Sequence, residues 1–428
     1  MEKRFSSLFN LTEAQAIEIL DGPSDDSDEA SSRYIAASHL VNFNTPNSVA
    51  ALLRAVNKAD ADLDNRIVRR KAVESLGRLK VKSALPVIAG CLTDDDSYLV
   101  ENAAWALGEI GTDDAAVLET LAEQLERPDQ SYRTIIHTLA NLGYAPAAER
   151  IETFTSSEQA PIASAALSAL YRLRGDQQVM AKVTQFLQST NVNARRGSIQ
   201  DLIDAQYYPA ISAIAQCPVS MVFRLRGIRL LAQSGIAAGD LTFVQVQPDL
   251  EKVICDHPND VALVHTYERL PPDGPDELVQ ELYSTDFGRC YLASKALIDY
   301  FADAAPSALI KSYEAEGYND YGAHYHIMRL FGWLKVTEAY DLLVKALHNK
   351  APQFQKSRVA AALALAELAD VRAIDELMRA IATPIWDLQY AALIALNKLD
   401  QPASAILANS EPTVAEADWL VQEKLKSM

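Results

Sequence analysis

The sequence predicts an all-α protein, an α/α solenoid (superhelix) of helix-pair repeats, and three observations carry that prediction. The run Arg69-Arg-Lys-Ala-Val-Glu-Ser-Leu-Gly-Arg-Leu79 recurs as Glu101-Asn-Ala-Ala-Trp-Ala-Leu-Gly-Glu-Ile-Gly111, and more weakly as Arg133-Thr-Ile-Ile-His-Thr-Leu-Ala-Asn-Leu-Gly143. One column of apolar residues, Leu79, Ile110, Leu142 and Leu173, steps by 31, 32 and 31, and a second, Phe301, Leu334, Leu368 and Leu399, steps by 33, 34 and 31, which is the period of a helix pair. Each unit holds two stretches of apolar residues at helical spacing with a short break between them, and almost nothing alternates as a strand does. Small residues at core positions, Ala103, Ala106, Ala163, Ala360 and Ala364, let neighbouring helices approach as stacked hairpins require. The repeats are therefore expected to be HEAT-like or armadillo-type.

Interruptions in the period divide the chain. Residues 1–30 read as an N-terminal arm with a short helix, because Thr12 followed by Gln15 is a capping-box pattern and the acidic stretch Asp21 to Glu29 follows. Residues 31–234 read as N-terminal repeats. Between 235 and 286 the period blurs and Pro248, Pro258, Pro271, Pro272 and Pro275 crowd the sequence, so this stretch reads as an irregular joint. Regular repeats resume over 287–428, with Trp419 in a terminal cap.

Composition narrows the function. With 39 Lys+Arg against 57 Asp+Glu, a formal charge of -18 and no basic run, nucleic acid and anionic membranes are expected to be poor partners, since both need clustered cations. The four cysteines, Cys91, Cys217, Cys255 and Cys290, are far apart and lack metal-ligand spacing, which points to a reducing compartment and to no metal. No export signal or stretch of eighteen apolar residues is visible, so a cytoplasmic protein without a membrane span is expected.

A solenoid carries no chemistry by virtue of its fold, so candidate residues are those that leave the packing face. On the Tyr98 to Ile110 helix, Leu99, Ala103, Ala106, Leu107 and Ile110 form the apolar stripe, and Tyr98, Glu101, Asn102, Trp105 and Glu109 fall on the other side. A ring left in water suggests a groove, although Trp105 could equally pack under the next repeat. Aligned by repeat, Glu101 and Trp105 fall on Arg70 and Glu74, on Arg133 and His137, and on Tyr325 and Arg329. Such variety in one column is what a binding surface looks like, or simply a solvated face.

The densest cluster is Tyr313 to Trp333. With Ala323, Ile327, Leu330 and Leu334 as core stripe, His326, Arg329 and Trp333 are expected to line one flank, extended by Tyr318 and Tyr325; Tyr321 belongs to the same cluster, and His324 points to the other side. Asp320 reads as a helix N-cap and also as a carboxylate able to move a proton. A Tyr-rich packing layer is the structural alternative. Nucleophilic triads, P-loops and dinucleotide glycine motifs are absent from the sequence, and Cys290 reads as a buried structural thiol.

Three stretches carry a resemblance: Arg33-Tyr-Ile-Ala-Ala-Ser-His-Leu40, Asn102-Ala-Ala-Trp-Ala-Leu-Gly-Glu-Ile-Gly111, and the regular repeats on both sides of a degraded middle. They resemble the HEAT-like repeats of phycobilin lyases of the E/F type, and one chain covering both halves is similar to the single-chain phycoerythrin bilin lyases and lyase-isomerases. The resemblance implies a reaction in which a linear tetrapyrrole is joined by a thioether to a cysteine of a phycobiliprotein, here phycoerythrobilin on a phycoerythrin α or β subunit, with isomerisation to phycourobilin in some members. It implies bilin as substrate and no tightly bound cofactor. Tyr98, Trp105 and Trp333 would then be aromatic walls, Arg133 and Arg329 propionate partners, and Glu101 and Asp320 partners of pyrrole N–H groups, with Asn102, His137, Tyr321 and Tyr325 beside them. Tyr318 or Asp320 would be the proton donor and His326 its partner. Members that isomerise phycocyanobilin carry a His-Cys pair, whereas Cys290 follows Arg289 here, which argues against isomerisation through Cys290. The alternatives are a lyase without isomerisation and a non-catalytic HEAT-repeat adaptor.

Overall fold

The computed structural model describes residues 11–23, 30–58, 62–271, 274–402 and 417–428. All regular elements among them are helical, as the periodicity predicts. The chain divides into two compact units at Lys182 and Val183, a boundary inside the stretch expected as one N-terminal array.

In the first unit the repeats are carried by α1 (Leu63–Arg78), α2 (Ser97–Ile110), α3 (Tyr132–Asn141) and α4 (Ala160–Arg174), each packed on the next. In the second, the corresponding helices are α5 (Val192–Asp204), α6 (Met221–Ala238), α7 (Phe243–Cys255), α8 (Phe287–Tyr300), α9 (Tyr321–Trp333), α10 (Gln355–Glu367), α11 (Trp386–Lys398) and α12 (Trp419–Ser427). Neighbours along α8 to α12 again pack in order.

The apolar columns mark where these helices stop. Leu79, Leu142, Leu334, Leu368 and Leu399 are C-caps, and Ile110 is the last residue of α2. The residue after each turns the chain with positive φ: Lys80 at 53°, Gly111 at 81°, Gly143 at 67°, Lys335 at 53°, Ala369 at 55° and Asp400 at 58°. A residue of this kind ends the intrahelical ladder, so the repeat length is set by a helix and its stop signal.

Close approach between repeats depends on one glycine position, two residues before the column. A Cβ on Gly77 would lie 2.8 Å from the Ala106 Cβ, and one on Gly332 would lie 2.7 Å from the Ala364 Cα. The small core positions thus act as expected, with Ala103, Ala106, Ala163, Ala360 and Ala364 all buried.

The short helix near the N-terminus is Glu13–Asp21, started by the expected capping box, in which the Gln15 amide donates to Thr12 Oγ1 (3.3 Å) and the Thr12 amide to Gln15 Oε1 (3.0 Å). Its Ala16 and Leu20 are buried. Residues 1–10 of the arm and 24–29 of the acidic stretch lie outside the described residues. The stretch expected as an irregular joint holds α7 and a short helix, Pro275–Glu281. Pro248, expected to break the pattern, sits inside α7. The carbonyl to which it cannot donate belongs to Val244, an exposed residue, so the missing bond falls at the surface. Pro272 lies outside the described residues. Around Trp419, α12 packs on α11, and Lys424 pairs with Glu251 of α7 at 2.9 Å.

Candidate functional site

The second unit contains a cleft of about 840 Å³, within the roughly 300–1,000 Å³ usual for ligand sites. It is built mainly from the first turns of successive repeat helices: Val222, Phe223 and Arg226 of α6, Phe287 of α8, Tyr321 of α9, Lys356 of α10 and Trp386 of α11. Several amides of these first turns are taken up within the protein, Gly288 by Asp286, Leu388 by Asp387 and Gln355 by the Pro352 carbonyl. Asp320 caps α9 by accepting from the Gly322 and Ala323 amides at 2.8 and 2.7 Å, as expected. Neither α10 nor α11 has a side-chain cap.

The charge of the cleft opposes that of the chain. Arg196, Arg226, Arg229 and Lys356 line it against Asp320 and Asp387, whereas the chain as a whole is at -18. Three of the cations have partners. Arg229 lies over the Trp386 ring at 4.9 Å and pairs with Asp418; Arg226 donates to Gln200 Oε1 at 2.6 Å; Arg196 donates to the Thr285 carbonyl at 3.0 Å and lies over Phe223. Lys356 differs. Its ammonium stands 4.3, 4.9 and 5.3 Å from the ring centroids of Phe287, Tyr321 and Tyr325, and burial pushes its pKa down to about 8. Asp387, also at the cleft, is pushed up by burial.

Behind the wall lies a network centred on the buried Arg224, Asp256, Tyr291, Tyr325 and Arg329. Asp256, fully buried, accepts from Arg224, from Tyr291 Oη at 2.8 Å and from Tyr325 Oη, and Arg224 also donates to the Ala215 and Val219 carbonyls. Arg329 donates to the Cys255 carbonyl and lies 4.7 Å over Trp333, whose ring meets His257 at 5.2 Å. These contacts pin the end of α7 to α9.

The sequence candidates therefore take positions that periodicity did not assign. Tyr325, His326 and Arg329, expected on an open flank, are all buried. His326 sits among Phe287, Tyr291 and Tyr325 at 4.7, 5.4 and 5.1 Å, neither ring nitrogen has a hydrogen-bond partner among the described residues, and burial holds its pKa well below the ordinary value. Phe287 lines the cleft and His326 does not. Tyr318 is 54% exposed but outside the cleft wall, Tyr321 is 57% exposed and within it, and Trp333 is half-buried beside Arg329. Of the three residues expected to move protons, Asp320 alone lines the cleft. Cys290 is buried and its thiol is pushed up to about 12 by burial, which fits the structural reading.

Three members of the mixed column in the first unit are ties between repeats, while Glu74 pairs with Lys71 and Arg78 of its own helix. Arg70 grips Asp96, the N-cap of α2, through two bonds of 2.7 Å; Glu101 accepts from Ser131, the N-cap of α3, at 2.8 Å and from Thr134 at 3.1 Å; Arg133 donates to the Pro161 carbonyl in the first turn of α4. Each bonds forward, to the start of the next repeat. Trp105 packs backward instead, with Cζ3 3.0 Å from where a Gly77 Cβ would lie. Tyr98 is 62% exposed under the Arg70 guanidinium, Asn102 donates to the Tyr98 carbonyl of its own helix at 2.8 Å, and His137 is half-buried.

Lys356 and Asp387 were not singled out by spacing, yet a signal exists. Lys356 precedes Val359, Ala360 and Leu363 by three, four and seven residues, so it is a cation on an apolar stripe. Asp387 stands likewise to Tyr390 and Ala391.

Comparison with known proteins places the chain. HEAT repeats match residues 61–140, and the PBS lyase HEAT-like repeat matches residues 357–383. The chain is 55% identical over its full length, and over the full length of the relative, to the "Uncharacterized phycocyanin operon protein Y" of Pseudanabaena tenuis (strain PCC 7409). It is 31% identical, over 86% of this chain and 90% of the relative, to the "Bilin biosynthesis protein CpeY" of Synechococcus sp. (strain WH8020). The chain belongs to the E/F-type bilin lyase family. Another relative, the phycocyanobilin lyase subunit alpha of Picosynechococcus sp. (strain ATCC 27264 / PCC 7002 / PR-6), is 28% identical over 53% of this chain and 90% of its own length. A solved complex of CpcE and CpcF of phycocyanin lyase from Nostoc sp. PCC7120 is similar at 25% identity with a TM-score of 0.49, covering 57% of this chain and 95% of the solved one. Among the described residues of this bilin lyase relative, no helix is long and apolar enough to cross a membrane.

Proposed function

We propose that this chain is a bilin lyase that holds a linear tetrapyrrole in the cleft of the second unit and joins it by a thioether to a cysteine of a phycobiliprotein subunit. The observation that carries this reading is the cleft itself: a cation-rich, aromatic-walled concavity of about 840 Å³ on an acidic chain of this family. A linear tetrapyrrole is flat, conjugated and carries two propionates, so it needs ring faces along its length and cations at its carboxylates. Phe223, Tyr321 and Trp386 provide the faces, and Arg196, Arg226, Arg229 and Lys356 the charge. Bilin is a substrate in this reading, and no resident cofactor or metal takes part.

In the narrower form of the proposal, the bilin is phycoerythrobilin and the acceptor a phycoerythrin α or β subunit. Addition of a thiol across the ethylidene double bond breaks the S–H bond and the C=C π bond, forms one C–S bond and places a proton on the adjacent carbon, the thiol's proton replacing the one the donor gives. Asp320 is the donor best placed for that proton, because it lines the cleft and its helix holds it still. Asp387 is the second carboxyl there, and its raised pKa makes it a group able to give a proton as well as take one. Two carboxyls at one ligand, Asp320 and Asp387, favour the further reading in which the double bond shifts and phycourobilin results, since that shift adds a proton at one carbon and removes one at another.

The test is co-production of the chain with phycoerythrobilin-forming enzymes and one phycoerythrin subunit at a time, followed by the absorption spectrum of the denatured acceptor. A covalent, unshifted bilin supports the lyase, and a covalent, blue-shifted one the lyase-isomerase. Absence of attachment to either subunit, with no bilin retained by the chain, favours the adaptor reading.

A further inference from the structure

Lys356 is the one cation of the cleft whose partners are all ring faces. Its side chain is 8% exposed, and among the described residues it has neither a hydrogen-bond acceptor nor a carboxylate in pairing distance. Every other cation at this cleft has an acceptor. Ring faces offset only part of the cost of burying an ammonium. The start of α10 carries Lys356 into the cleft wall, so a buried cation without an acceptor faces that space.

Resting on the bilin lyase reading above, the geometry points to Lys356, within its cage of Phe287, Tyr321 and Tyr325, as the seat of a ligand carboxylate, one propionate of the tetrapyrrole. Held there by an aromatic cage, the ammonium has few rotamers to lose when the carboxylate arrives, so pairing costs little ordering. The cage also places ring faces against the part of the ligand next to that carboxylate. Arg226 and Arg229, on α6, are left for the second propionate. The arrangement stores its own cost in the empty protein: an apolar side chain at 356 should suit the cage better than the ammonium does.

The experiment compares the full chain with Lys356→Met and Lys356→Arg, and uses two probes, biliverdin, a linear tetrapyrrole with two propionates, and its dimethyl ester. Binding is read from the change in absorption, and stability from thermal unfolding without ligand. The expected result is that the unchanged chain binds biliverdin at least tenfold more tightly than the ester, that Lys356→Met lowers this preference at least threefold, leaving the share of the second propionate, while binding the ester as before, and that its Tm is equal or higher. Lys356→Arg retains the preference in part. Unaltered discrimination in Lys356→Met overturns the inference, as does equal loss of both probes with a lowered Tm or failure to fold, which marks Lys356 as structural. Binding of neither probe by the unchanged chain overturns the bilin reading and this inference with it.

Discussion

Arg224 of α6 and Asp256, just past α7, form a fully buried ion pair in the second unit, and Tyr291 closes it by donating to Asp256 Oδ2 at 2.8 Å. Asp256 has a φ of 48° at the end of α7, so the pair fixes a helix stop as well as a charge. Removing one partner of a buried pair leaves the other uncompensated, at about 3–5 kcal/mol. Asp256→Ala is therefore expected to destabilise the second unit by that order in urea unfolding, whereas Tyr291→Phe, which removes one donor and leaves the charges matched, costs about 1–3 kcal/mol. Equal effects of the two would show that the network is not organised around the charge.

The glycine two residues before the helix stop, present at Gly77, Gly108 and Gly332, separates two kinds of repeat contact. At Gly332 a methyl group would meet the Ala364 backbone at 2.7 Å, so α9 and α10 must part, and Gly332→Ala is expected to lower stability by about 1–3 kcal/mol. At Gly108 the nearest atoms, on Thr138, are 3.4 Å away. Gly108→Ala is expected to be neutral or to stabilise by up to about 1 kcal/mol through helix propensity. Thermal unfolding of the two variants, measured side by side, decides whether the contact distance or the helix preference governs this position.

Ala369 turns the chain after α10 with a φ of 55°, and its methyl group is exposed. The left-handed region is strained for a residue with a Cβ, and little burial is lost without one. Ala369→Gly is expected to raise stability by about 0.5–1 kcal/mol. A fall in Tm would mean that the greater freedom glycine gives the unfolded chain outweighs the relief of strain.

The contrast between what spacing revealed and what it concealed has a physical basis. Leu79, Leu142 and Leu334 declared the repeat because a helix, its stop and its apolar stripe all recur together. The roles of Arg70, Glu101 and Arg133 were hidden because a helical wheel separates faces without saying what each face meets. Their polar atoms reach the first turn of the next repeat, a tertiary relation with no trace in local periodicity. His326 and Arg329 were hidden for the opposite reason. On α9 even the polar residues are enclosed, since the end of α7 and the α8 rings cover the side expected to be open. Asp320 was legible because a cap is local, and its place in the cleft wall follows from where α9 begins. The cleft came from helix starts far apart in sequence, and its local hint was a charge on an apolar stripe, as at Lys356 and Asp387.

Lys356 also gives a pH signature. Its pKa is about 8 in the folded chain, against an ordinary 10.5, with Cys290, Asp320 and Asp256 drawing it up less than burial and Arg196 push it down. Between these values the unfolded chain binds the extra proton, so this group's contribution to stability rises with pH from about 8 to 10.5 and is least favourable below 8. The full span is on the order of 3 kcal/mol. Cys290 acts in the other direction, because its thiol is raised to about 12 from 9.0 and its contribution falls as pH rises through that range. The difference between the unchanged chain and Lys356→Met isolates the lysine: Met should be the more stable by most at pH 7, and the advantage should fade toward pH 10.5. A difference that does not vary with pH would place the lysine at its ordinary pKa.

Asp320 permits binding to be separated from chemistry. Its Oδ1 holds the Gly322 and Ala323 amides, and asparagine is about as good an N-cap as aspartate. Asp320→Asn should therefore keep α9 started and the cleft intact while losing the carboxyl, whereas Asp320→Ala should also lose the cap, at about 1 kcal/mol. If the carboxyl delivers the proton that accompanies C–S bond formation, Asp320→Asn binds bilin as the unchanged chain does but attaches it at least a hundredfold more slowly, within the range general acid catalysis supplies. Full attachment by Asp320→Asn would reduce Asp320 to its cap and leave Asp387 as the carboxyl at the ligand, to be tried next by Asp387→Asn in the same assay.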